Sequence, residues 1–138
     1  MPNMTAFDVP SREVCTARRQ TTSTPLQALV LLDDPQFVEA ARVLGEQMLK
    51  QAGPTAAARV RFAFRRLAAR EPTAAELKLL TALYEQQCWL FRKEPDEAGK
   101  LIHIGDRKPD PTLPPGEVAA AAILAQTILS LDATVWKR

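Results

Sequence analysis

Apolar residues recur along this chain every three to four positions, and prolines and capping residues punctuate the recurrence. The first such stretch is "TSTPLQALVLLDDPQF", residues 22–37. Thr24 before Pro25 reads as a helix start, because a Thr side chain accepts from free N–H groups and Pro fits the first helical position. Gln27 completes a capping box. That helix runs only to about Asp33, since the residue before a proline avoids helical dihedrals. Asp34 then caps a second helix with Pro35 at its first position. Segment 25–33 is therefore a short, almost wholly apolar helix that needs protein around it.

The second helix is predicted from Pro35 to about Gln51, with Phe37, Ala41, Leu44 and Met48 as its buried stripe, and Gly53-Pro54 ends it. The third spans roughly 55–70, with Val60, Ala63, Phe64, Leu67 and Ala68 on one arc. Arg59, Arg66 and Arg70 border that arc on one side and Arg61 and Arg65 on the other, while Phe62 falls on the polar face. Thr73 and Glu76 form a second capping box, opening a helix to about Lys93 with Leu77, Leu80, Tyr84, Cys88 and Phe91 inward. Pro95 and Asp96 open a short helix whose apolar side is Ala98, Leu101 and Ile102, ending near Gly105. Residues 105–116 hold four prolines and read as an extended surface loop. The last helix, from Pro115 to about Leu131, is apolar nearly all round and should be central. The expectation is an all-α, compact bundle of about six helices. An irregular polar arm, 1–23, packs on a single helical domain, 24–138.

Composition supports that picture. The 138 residues suit one domain with a core of its own, and Ala, Leu, Glu, Gln and Arg dominate over strand-favouring aromatics. Net charge is +2, with ten basic and six acidic side chains in residues 1–70 and eight and ten in residues 71–138. So small an excess argues against nucleic acid as a partner. A stripe formed by Arg59, Arg61, Arg65 and Arg66 is the one feature that points the other way, and its arginines read more simply as edge cover for the core. The most apolar run, Val118 to Leu131, has 14 residues, too few to insert across a bilayer. The start lacks the basic and apolar regions of a signal peptide.

Catalytic chemistry finds little support. His103 is the only histidine, and no activated nucleophile lies near it in sequence. Cys15 and Cys88 form no metal or haem motif, and no Gly-rich phosphate loop is present. No cofactor is expected. The basic groups before the Thr24 helix start carry more interest, because a helix N-terminus attracts anions. Asp8, Arg12, Arg18, Arg19, Thr22 and Thr24 are the candidate binding residues, for a phosphate, a sulfate or a partner's carboxylate. They serve equally well to pin the arm to the body.

The run "FDVPSREVCTARRQTTSTPLQALVLLDDPQFVEAARVL", Phe7 to Leu44, resembles a planctomycete C-terminal domain of unknown function. Phe7, Asp8, Pro10, Arg12, Glu13, Cys15, Thr16, Arg18 and Arg19 follow the first part of its pattern. Thr24 to Leu29, Leu31, Leu32, Asp34, Pro35 and Phe37 to Ala41 follow the second, and Ser11 and Asp33 depart from the pattern. "FRRLAAREPTAAEL" and "ILSLDATVWKR" extend the resemblance over nearly the whole chain. It implies the C-terminal part of a larger, exported cell-envelope protein that often carries cytochrome-c-like segments. It brings no catalytic residues with it. The leading expectation is a non-enzymatic structural or interaction module, partnered by upstream domains of its parent or by another protein. The alternative is part of an enzyme completed upstream, with Asp8, Arg12, Arg18 and Arg19 contributing. Oligomeric state is not legible in the sequence.

Overall fold

A computed structural model describes residues 33–131. Within them the chain forms five helices: α1 (Pro35–Gln51), α2 (Ala56–Ala68), α3 (Ala74–Lys93), α4 (Pro95–Ile102) and α5 (Pro115–Leu129). The all-α expectation holds, with five helices among the described residues rather than six; the expected helix 25–33 lies outside them. So does the arm, 1–23.

The local signals act as expected. The Asp34 side chain accepts from the N–H of Gln36 at 2.8 Å, and Pro35 takes the first helical position. Thr55 caps α2. Thr73 and Glu76 form both halves of the capping box on α3, at 3.3 and 2.7 Å. Arg70 grips the same Glu76 carboxylate through two bonds of 2.7 and 2.9 Å. Held first by that guanidinium and then by the Thr73 backbone, Glu76 has its pKa lowered to about 2. Ala69 takes a left-handed backbone, φ 55°, which stops α2 before Arg70.

Helix α5 is the axis of the fold. It contacts all four other helices, and its residues from Val118 to Ala122, with Leu124, Ala125 and Ile128, are buried. Its alanines leave room for close approach. Helix α1 uses that room: it turns Val38, Ala41, Gly45 and Met48 inward. The expected stripe of Phe37, Ala41, Leu44 and Met48 is thus rotated, and Phe37 and Leu44 are only half-buried. The reason is steric. A surface of alanines accepts a glycine more closely than a leucine, so Gly45 lies against Ala121 and Ala122. Met48, Val60, Phe64, Leu80, Tyr84 and Leu124 complete the main cluster, and Ala98, Ile102, Val118 and Ala119 form a second one under α4. Phe62 also departs from expectation: it is half-buried and packs against the main cluster, with Arg66 over its ring.

Candidate functional site

The six residues singled out in the sequence, Asp8, Arg12, Arg18, Arg19, Thr22 and Thr24, lie outside the described residues, as does Cys15. Within 33–131, polar chemistry gathers at three places.

The first is a clamp between α1 and the loop joining α4 to α5. Glu39, Arg42, Glu46 and Lys50 follow each other at three- and four-residue steps, which lines them up along one side of α1. A Glu39 carboxylate oxygen accepts from the N–H groups of Asp106 and Arg107, at 2.6 and 3.3 Å. Gly105, with φ 98°, makes that approach possible, because any Cβ there would run into the same carboxylate. Arg42 is 1% exposed; it donates to Glu46 at 2.5 Å and to the Arg107 carbonyl at 2.6 Å. Its Nε has no hydrogen-bond partner among the described residues. Glu46 also accepts from the N–H of Asp110 at 3.3 Å, and Lys50 pairs with the Asp110 carboxylate. Lys50 first, and then Thr112, hold Asp110 well below the usual carboxylate range. The proline-rich segment is therefore a strap tied down along one edge, not a free surface loop.

Beyond the other edge of that strap lies an open groove of about 650 Å³. Ile102 of α4, Val118 of α5 and Leu113 supply apolar wall, Pro109, Pro111 and Pro115 stiffen the rim, and His103, Lys108 and Asp110 bring the polar atoms. His103 bonds through Nδ1 to the Gly99 carbonyl at 2.7 Å, so the sole histidine caps α4 and is exposed.

The second place is a node between helices. Arg59 donates to the Tyr84 hydroxyl at 2.8 Å and to Glu117 at 3.0 Å, joining α2, α3 and α5. Burial, and next the nearby Cys88, push the Tyr84 pKa up to about 12 against the pull of Arg59. Burial likewise raises the pKa of Cys88, a free half-buried thiol, which lowers its reactivity at neutral pH. Of the arginine stripe, Arg59 is spent on this node, Arg65 pairs with Glu71 at 3.2 Å and Arg66 lies over Phe62. The third place is the outer side of α3, where Leu79 and Trp89 are 72% and 54% exposed and Lys93 sits 3.7 Å above the Trp89 ring.

Sequence reasoning missed the clamp, although the step pattern from Glu39 to Lys50 was a visible signal. No cluster of three or more metal-ligating side chains occurs among the described residues, and no helix there is long and apolar enough to cross a membrane. What these features define is an all-α domain with a strapped loop and one bared helix face. A family model described as "PSD1: Protein of unknown function (DUF1553)" matches residues 1–84, and the chain belongs to that family. No curated protein and no solved structure matches it.

Proposed function

We propose that this chain is a non-catalytic interaction module of a larger envelope protein of the planctomycete type, in which cytochrome-c-like segments are its neighbours. The observation that supports the reading is the outer side of α3. A helix whose inner side already fills the core has no folding reason to bare a leucine and a tryptophan ten residues apart on its other side. A large exposed aromatic such as Trp89, here under the Lys93 ammonium, is the residue type that anchors protein contacts. The segment carrying Asp8, Arg12, Arg18, Arg19, Thr22 and Thr24 serves as the polar half of the same contact, with the upstream domains of the parent polypeptide as the partner.

The test is site-specific photo-cross-linking in the native host. A photoreactive residue at position 79 or 89 is expected to cross-link to one and the same upstream segment of the parent polypeptide, identified by mass spectrometry of the cross-linked peptides. The same probe at exposed Arg61 should not, and replacing Arg18 and Arg19 by Glu should lower the yield. Adducts from 79 and 89 no more abundant than from 61 would sink the proposal.

A further inference from the structure

We propose that the groove between the strap and helices α4 and α5 binds a small amphipathic carboxylate, an apolar chain ending in a single acid group. Size makes the first selection. About 650 Å³ suits a small molecule and is too little for a partner's helix. The wall makes the second: Leu113, Pro109 and Pro111, lying over the buried Ile102 and Val118, offer apolar surface to a chain. Charge makes the third. Among the described residues Asp110 is the only acid on the groove's wall, and its carboxylate is already engaged by Lys50 and Thr112. Lys108 is exposed and makes no ion pair among the described residues. His103 has its Nδ1 committed to a carbonyl, so as a neutral ring it carries the proton there, and as a cation it can donate from Nε2. The available charge at the rim is therefore positive, and a ligand's anionic end is matched by Lys108.

The strap makes the site a built one. Three side chains of α1, Glu39, Arg42 and Glu46, fix its backbone from behind at residues 106, 107 and 110, Lys50 holds the Asp110 carboxylate, and proline rings fix its dihedrals. A groove held open in this way has little ordering cost left to charge against binding.

The test uses the full chain, ¹⁵N-labelled, titrated with sodium octanoate and, in parallel, with octan-1-ol. Octanoate is expected to shift the amides of His103, Lys108, Asp110 and Leu113 saturably, and octanol to bind the same amides more weakly. Lys108→Glu exchanges an attraction for a repulsion at an exposed position, and should weaken octanoate about fivefold to tenfold while leaving octanol and the thermal midpoint unchanged. A second variant, Leu113→Ala, removes apolar wall at a half-buried position and should weaken both ligands. Failure of octanoate to shift these amides saturably overturns the proposal. So does equal affinity for acid and alcohol together with an unaffected Lys108→Glu, which would mean a generic apolar surface. Neither result bears on the cross-links expected from α3, so the two readings fail separately.

Discussion

Replacing Gly45 by Ala puts the packing of α1 on α5 to a direct test, because two known effects oppose each other there. In a helix interior, Gly→Ala is worth about 1 kcal/mol of stability through backbone entropy. At Gly45 the added Cβ would stand 2.9 Å from the Ala121 Cβ, 3.1 Å from the Ala122 nitrogen and 3.2 Å from the Ala121 carbonyl carbon. An alanine methyl has no rotamer through which to withdraw, and backbone atoms cannot yield alone. Relief comes only by separating the helices, which loosens Val38, Ala41 and Met48 together. Overpacking of this kind costs roughly 1–3 kcal/mol. With two of the three close contacts made to backbone atoms the cost falls in the upper half of that range, and the expected net loss is about 1–2 kcal/mol, or some 3–8 °C in the thermal midpoint of a chain this size. Gly99, in α4, is the internal control: nothing lies within 4 Å of a Cβ built there and its φ is not positive, so Gly99→Ala should stabilise by about 0.5–1 kcal/mol. Urea unfolding followed by far-ultraviolet circular dichroism reads both. If Gly45→Ala were as stable as the parent, or moved in step with Gly99→Ala, the two helices would not approach as described.

Three further outcomes are expected. Arg42→Ala strands the buried Glu46 carboxylate and the Arg107 carbonyl and should cost about 3–5 kcal/mol, whereas the double change Arg42→Met with Glu46→Leu should cost clearly less; a double variant worse than the single one in urea unfolding would refute the buried-pair account. The chain has one tyrosine, so absorbance at 295 nm reports Tyr84 alone, and its phenol should ionise near pH 12 in the folded state against about 10 unfolded. Because the folded pKa is the higher one, this stability is complete below pH 10 and is lost as pH rises from about 10 to 12; midpoints that stay flat across that window would contradict it. Residues 1–84 expressed alone, the stretch matched by the family, should show no cooperative thermal transition, and a sharp one would be the opposing result.

Legibility in the sequence followed the range of each interaction. Asp34-Pro35, Thr55 and Thr73 with Glu76 act within one helical turn, and their caps form where the residue pattern put them. The face of α1 was misjudged because size was weighed without the neighbour. Phe37 and Leu44 look like core residues alone, but an alanine-lined α5 selects Val38, Ala41 and Gly45 instead. The clamp was harder still. Lys50 and Asp110 are 60 positions apart and Glu39 and Arg107 are 68, and an Arg followed by Glu four residues later reads on paper as a solvated helix pair. Arg42 is 1% exposed and donates to the strap at the Arg107 carbonyl, 65 positions away. The candidate binding residues of the N-terminal arm lie outside the described residues, and the groove beside the strap had no sequence signal beyond its prolines.

The boundary of the family match sharpens what kind of unit this is. Residues 1–84 end at Tyr84, partway along α3, and leave out α5 altogether. Yet α1, α2 and α3 all pack against α5, whose Ala120, Ala121, Leu124 and Ile128 belong to the main cluster, so among the described residues the core of the matched stretch is closed by α5. Polar contacts cross the same boundary. Arg59 and Tyr84 lie inside the match and their partner Glu117 lies beyond it; Glu39, Arg42, Glu46 and Lys50 lie inside it and the strap they hold lies beyond. A buried arginine whose one acidic partner among the described residues is its own helix neighbour gains most from a loop that supplies a carbonyl. The family-defining stretch and the segment after it therefore depend on each other in both core and charge. A change in the strap reaches the core through Arg42, and a change in α5 reaches α2 and α3 through Glu117.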